Sequence, residues 1–227
     1  MLKSKWLQIR CDAAPREAQS LLATARFTAE AGSGFELISR DLNSIHCRYI
    51  ERVTSSEKVV DPFGDTTELE IIRYVYTFFR LHPSEKSLHT YLLEISNPPR
   101  TVRPLVSALS IAFDGVTVSE PEWPILEIYK RVKRNSPRAR VVRLRACGIP
   151  VSETTVSKIE LISSENAAVD FLAVFPKSIS KIDKIRIERP FIDQPGPLEL
   201  SVNGVCGFDE NVEHLVRGLI LGLDVAD

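Results

Sequence analysis

Two stretches decide the fold: GFELISRDLNSIHCRYIERV at residues 34–53 and ELEIIRYVYTFFRL at residues 68–81, with Asp61-Pro62-Phe63-Gly64-Asp65 between them. Both are rich in Ile, Tyr, Phe, Val and Thr, which suit a pleated, half-buried surface, and the intervening Pro, Gly and Asp suit a turn. They read as a hairpin of two long strands. In the second stretch Tyr74, Tyr76 and Phe78 alternate with Val75, Thr77 and Phe79, so both faces are apolar and one needs a helix to cover it.

Upstream, Trp6 to Cys11 alternates like a short strand, and Asp12 to Glu30 reads as a helix. Asp12 is placed to cap it, Pro15 falls in the first turn, Ala18, Leu21, Leu22 and Ala25 form one stripe, and Gly32 ends it. Downstream, His89 to Ser96 is a third strand stopped by Asn97-Pro98-Pro99. A helix then opens near Thr101, carries Leu105, Ala108, Leu109 and Ala112, and stops at Gly115. Another runs from Ser119 to Arg134, with Ser119 and Glu122 matching a capping box and Ile125, Ile128, Tyr129 and Val132 on one face. Asn135-Ser136-Pro137 breaks it.

The remaining chain reads as strands over Arg138 to Ala146, Lys158 to Ser163, around Ile182, Ile185 and Ile187, and over Leu198 to Val202. Between the second and third of these, Ser164 to Phe175 is ambiguous, since Ala168, Phe171, Leu172 and Phe175 fit a helix and Val169, Phe171, Ala173 and Phe175 a strand, but Ser163 or Ser164 as cap with Glu165 in the first turn favours a helix; Asp209 caps a last helix carrying Val212, Leu215, Val216, Leu219 and Leu223. The expected fold is α+β, with two similar subdomains, each an antiparallel sheet covered by helices: an N-terminal one over 1–118, a connecting helix and break over 119–137, and a C-terminal one over 138–227. Internal duplication is suggested by Leu93-Glu94-Ile95-Ser96 against Leu198-Glu199-Leu200-Ser201, and by Leu105–Asp114 against Leu215–Asp224. The small pairs Ala108/Ala112 and Gly218/Gly222 recur at i and i+4, a spacing that brings a helix close to a sheet.

Length, 227 residues, with 44 % hydrophobic and 26 % charged residues, excludes a collagen-like or wholly disordered chain, because there is enough apolar side chain to offset ordering entropy. No apolar run reaches the ~18 residues of a membrane span, and Met1 to Arg10 lacks a secretory apolar region, so the expected setting is cytoplasmic with no membrane partner. Cys11, Cys47, Cys147 and Cys206 are scattered and form no CxxC, which fits structural thiols in a reducing compartment. There is no GxGxxG or GxxxxGK[ST], and no HExxH or HxxxH spacing among His46, His82, His89 and His214, so no nucleotide cofactor and no metal are expected. The adjacent His46 and Cys47 would point to opposite faces of a strand and would not chelate one ion. Acids at Asp61, Asp65, Glu68 and Glu70 flank the hairpin turn, and Glu120 and Glu122 sit at a helix start; neither group needs a catalytic explanation.

One feature rises above background. Lys130, Arg131, Lys133, Arg134, Arg138, Arg140, Arg143 and Arg145 put eight of the 29 basic residues and none of the 30 acids into 16 positions, leaving the rest of the chain at net −9. The end of a helix dipole accounts for the first four but not for the last four. Simple strand alternation separates Arg140 from Arg143 and Arg145. The expected function is a non-catalytic binding or adaptor subunit whose basic segment docks an acidic partner, a protein surface or nucleic acid. The other reading is a small hydrolase or transferase that uses a thiol and a histidine, with Cys47 beside His82 or His89, or Cys206 between Gly204 and Gly207 at a helix start.

Overall fold

A computed structural model describes residues 1–41, 44–60, 62–84, 87–175, 181–192, 194 and 196–224. Asp61 of the expected turn lies outside the described residues. The elements in order are β1 (Leu2–Arg10), α1 (Pro15–Thr24), β2 (Ser33–Asp41), β3 (Ser44–Val60), β4 (Thr66–Ser84), β5 (Ser87–Ser96), α2 (Arg103–Ala112), β6 (Thr117–Ser119), α3 (Ile125–Asn135), β7 (Arg140–Pro150), β8 (Val156–Ile162), α4 (Ala167–Val174), β9 (Lys181–Glu188), β10 (Leu198–Ser201), β11 (Val205–Phe208) and α5 (Glu213–Asp224), with a 3₁₀ turn at Glu210–Val212.

Two helix-covered sheets are not what forms. The strands make one large sheet, β2-β3-β4-β5-β1-β11-β10-β9-β7-β8, with β6 beside β1, and every strand pair of described register is antiparallel. The cause is a pairing of opposite chain ends, Leu2 with Phe208 and Ser4 with Cys206, which no local pattern announces. By packing, the chain divides into an N-terminal unit, Ile9–Val118, and a C-terminal unit, Met1–Gln8 with Ser119–Asp227.

The duplication fails on two counts. β5 leads directly into α2, whereas β11 and a 3₁₀ turn intervene between β10 and α5. Gly218 is exposed with nothing within 4 Å of where its Cβ would be, so it does not bring a helix onto a sheet. Gly222 faces only the Arg131 guanidinium at 3.5 Å, and Ala108 and Ala112 are half-buried.

In the N-terminal unit the stretch at 34–53 is two strands rather than one, and the long hairpin is β3 with β4. One face of its sheet is core: Ile45, Cys47 and Tyr49 of β3, Phe79 and Leu81 of β4, and Tyr91, Leu93 and Ile95 of β5 are all buried. Phe35 from β2 closes it, with ring centroids 5.5 Å from Tyr49 and 5.9 Å from Phe79. The Tyr91 hydroxyl donates to the Ala13 carbonyl at 2.6 Å, which ties the start of α1 to this face. α1 is shorter than its apolar stripe suggests. Ala14, not Asp12, is its N-cap, with the Ala14 N–H reaching the Glu17 carboxylate, and after Thr24 the chain bends into a parallel bridge between Arg26 and Phe35. α2 ends as expected, the Gly115 N–H donating to the Ser110 carbonyl at 2.7 Å with φ +114°.

In the C-terminal unit Ala146, Leu144, Ile185, Ile187, Leu198, Leu200 and Cys206 line the buried face. α3 begins at Ile125, after Pro124, because Thr117–Ser119 is taken into the sheet as β6; Ser119 and Glu122 therefore form no capping box. The expected helix over 164–175 is α4, capped by Asn166, whose Oδ1 accepts the Ala168 N–H while its Nδ2 donates to the Tyr129 hydroxyl of α3 at 2.7 Å. β11 occupies the stretch read as a loose approach to a helix. Gly204, at φ +81°, makes the tight turn into it and accepts the Trp6 N–H at 2.8 Å; a Cβ there would lie 2.5 Å from the Trp6 carbonyl oxygen.

Candidate functional site

The basic segment does not stay together. Lys130 pairs with Glu127 of its own helix at 2.7 Å, both ends exposed. Arg131 donates to the Gly222 carbonyl at 2.6 Å and so complements the C-terminal end of α5. Lys133 ties down the loop after α3 through the carbonyls of Pro137 and Ala139, at 2.6 and 2.8 Å. The Arg134 and Arg138 side chains have no hydrogen-bond or ion-pair partner among the described residues, and both residues are exposed. The first three side chains thus do structural work within the fold.

Arg140, Arg143 and Arg145 are brought together, against the expectation from simple alternation. Arg140 pairs with Glu188 and Val141 with Ile187, but Arg143 pairs with Arg186, so Val142 is an extra residue on β7. This β-bulge resets the period, and all three arginines lie on the face opposite the buried Val141 and Leu144. Neighbouring strands add Lys184 and Arg186 of β9 and Lys158 of β8. These six cations have side-chain exposures between 40 and 56 %.

Carboxylates are interleaved among them. Glu188 accepts from Arg140 Nε and Nη2 at 3.1 and 2.8 Å. Glu160 lies 3.6 Å from Arg143, and Asp183 is shared between Arg145 at 2.9 Å and Lys158 at 3.2 Å. Asp183 occupies a second bulge, since Arg145 pairs with Lys184 and Ala146 with Ile182. Its Oδ2 lies off the Arg145 Nε–H direction, which leaves that donor without an acceptor despite the short distance. Glu199 is shared by Lys184 at 2.5 Å and Arg186 at 3.4 Å. Burial pushes its carboxyl up, but the Lys184 hydrogen bond and the charges of Lys184, Arg186 and Arg143 outweigh this and hold it below its ordinary value. Six cations therefore share four carboxylates on one exposed face.

Beside this segment a cleft of about 590 Å³ is lined by Ser136, Pro137, Arg138, Arg189, Phe191, Ile192 and Gln194. The Arg138 and Arg189 side chains carry no partner among the described residues, and Ile192 is 72 % exposed. Arg189 and the aromatic and aliphatic pair next to it were not singled out in the sequence; Arg189 is in the left-handed region, at φ +51°.

The thiol and histidine sites do not assemble. Cys47 belongs to the buried face of the N-terminal sheet, and burial pushes its thiol up to about 12. His82 is on the opposite face, where its Nε2 lies 3.0 Å from the buried Glu94. Cys206 is fully buried in β11. Cys11 and His89 line a common cleft with Asp12 and Asp114, and the Cys11 N–H donates to the His89 carbonyl at 3.0 Å. Burial raises the Cys11 thiol as well, and the nearby Asp12 and Glu17 charges add to the rise, the reverse of what a nucleophile needs. Among the described residues no group of three His, Cys, Asp or Glu could hold a metal ion, and no helix is long and apolar enough to cross a membrane.

No protein-family model matches the chain, and comparison with curated proteins finds no similar sequence.

Proposed function

We propose that the protein is a non-catalytic binding or adaptor subunit, and that the outer face of β7, β8 and β9 docks an acidic protein surface. The observation that carries this is the bulge at Val142, which sets Arg140, Arg143 and Arg145 on one exposed face with Lys158, Lys184 and Arg186. Ion pairs at such exposure contribute ~0–1 kcal/mol each, so exchanging them for a partner's carboxylates costs little. The cation excess remains for that partner. A protein is favoured over nucleic acid because the neighbouring cleft sets Phe191 and Ile192 beside two arginines, an apolar and cationic mixture that suits the side chains of a protein surface. Four free cysteines, three of them buried, suit a cytoplasmic setting.

The test is fluorescence anisotropy with a labelled polyglutamate peptide and a labelled 20-nucleotide single strand of DNA, at low and high salt. Wild type is expected to bind polyglutamate in a salt-sensitive way and more tightly than the DNA. Replacing Arg143, Arg145 and Arg186 with Gln should abolish this while changing the melting temperature little. Absence of binding by wild type, or a large loss of stability in the triple variant, would mean that the charges serve only one another. Tighter binding of the DNA would move the assignment to nucleic acid.

A further inference from the structure

β2 accompanies β3 only as far as Glu51, opposite Ser33, and β5 accompanies β4 only from Phe78, opposite Ser96. Beyond these points Arg52–Val60 and Thr66–Tyr74 continue as a two-stranded ribbon of nine paired rows, from Arg52 opposite Tyr74 to Val60 opposite Thr66. At ~3.4 Å per residue the ribbon runs roughly 30 Å past the sheet. A ribbon of two strands is marginal in water unless a face is covered.

Its two faces differ. One continues the buried face of the N-terminal unit, following Cys47, Tyr49, Thr77 and Phe79, and carries Val53, Val59, Leu69, Ile71 and Val75. Val53, Val59, Leu69 and Val75 are 39, 44, 50 and 38 % exposed. The other face carries Val60, Ile72 and Tyr74 among four charges, Arg52, Lys58, Glu68 and Glu70.

Charge on the apolar face is confined to the ribbon's Arg73 and Glu57, apart from Glu51 at the root. Arg73 lies in the row of Val53, Glu57 in the row of Leu69, and the Ser55–Ile71 row is midway between them. Neither charge has a partner among the described residues. The face is therefore self-complementary under a two-fold axis through the Ser55–Ile71 row. Laid antiparallel on a second copy, the Val53/Arg73 row meets the Glu57/Leu69 row twice, and the Glu51/Val75 row meets the Val59/Thr67 row, with Glu51 at the root end of the contact. Both charges are then paired reciprocally, and the apolar side chains interdigitate at the ~10 Å spacing of stacked sheets.

We propose that this ribbon is a dimerisation arm, whose apolar face packs antiparallel on the same face of a second copy of the chain, with Arg73 of each arm against Glu57 of the other. The surface is distinct from the cationic face of the C-terminal unit, and polyglutamate binding there is expected to be indifferent to changes in the arm.

Sedimentation velocity of the full chain from about 1 to 100 μM, with R73E, E57R and the double variant, tests it. Wild type should dimerise within this range. Each single reversal turns two attractive pairs into two repulsive ones and should weaken the dimer about 10- to 100-fold at low salt. An equimolar mixture of R73E and E57R should restore a heterodimer, and R73E/E57R a homodimer, because the exchanged charges pair again. S55C, next to the axis, should oxidise to a covalent dimer that wild type does not form, which reads the contact even if a reversal perturbs folding. A wild type that stays monomeric throughout, a dimer indifferent to both reversals, or a mixture that stays monomeric would each overturn the proposal.

Discussion

Gly218 and Gly34 make opposite demands, and alanine at each should move stability in opposite directions. Gly218 is the sixth residue of the twelve-residue α5, is exposed, and has no atom within 4 Å of where a methyl group would stand. Alanine there gains helix propensity and meets no neighbour, so Gly218→Ala should stabilise by about 1 kcal/mol, ~2–4 °C in melting temperature for a protein of this size. Gly34 is buried in β2, and a Cβ there would lie 2.4 Å from the Phe27 nitrogen and 2.5 Å from its Cα. Those are backbone atoms, held by the Phe27 N–H to Phe35 carbonyl bond at 3.2 Å and the Phe35 N–H to Ala25 carbonyl bond at 2.9 Å. The crossing has to open, and overpacking of this kind costs about 1–3 kcal/mol. Urea midpoints at constant m-value, with thermal melts by circular dichroism, measure both. A lowered midpoint for Gly218→Ala would mean that the glycine rests against a surface, as an internal repeat requires. An unchanged one for Gly34→Ala would remove the close crossing.

Tyr91→Phe deletes the buried hydrogen bond to the Ala13 carbonyl and should cost about 0.5–1.5 kcal/mol in urea denaturation; a neutral result would deny that it anchors α1. Glu199 titrates lower in the folded chain than in the unfolded one, so its ionised form adds stability above the ordinary carboxylate pKa of ~4.3, and this is lost as pH falls through the lowered folded value. Glu199→Gln should accordingly be less stable than wild type at pH 7, with the gap closing as the pH falls through that lowered value; a gap that widens in acid would reverse the sign of the coupling. Cys47, held near 12 by burial, should resist a thiol reagent at pH 8 in the native protein and react once the chain is denatured, and rapid native labelling at that position would contradict its placement.

The elements with strong local chemistry were legible. Asn97-Pro98-Pro99 ends β5, Gly115 ends α2, and the ambiguous stretch at 164–175 is helical, although Asn166 rather than a serine caps it. What escaped depends on partners distant in sequence. β11 is four residues with glycine before and within it, poor strand material that is held because Cys206 lies between Ser4 and Leu200. The same pairing makes one sheet of what reads locally as two. The cationic face was legible in composition and not in geometry, since Val141-Val142 offers two equivalent valines and only the pairing with β9 decides which is extra. Arg189 and its cleft had no signal beyond a charge before a proline.

The two exposed surfaces call for different occupants because of the signs of their charges. On the arm one cation and one anion stand at equal distances from a central row, so a second copy supplies what each lacks and the apolar rows between them are covered in the same step. On the outer face of β7, β8 and β9 the carboxylates are already shared and cations are in excess, so a second copy of that face would bring excess against excess. A self-contact leaves the second surface unsatisfied, and only a surface of opposite sign relieves it. The contributions to binding differ accordingly. Most of the arm's contact is apolar and persists as salt rises, with the Arg73–Glu57 pairs setting its register. The cationic face has little apolar area except in the adjoining cleft, so its attachment weakens as ions screen it over ~8–10 Å at physiological strength. Salt thereby separates the two: at moderate ionic strength the chain should remain paired through its arms while releasing an acidic partner from the other face.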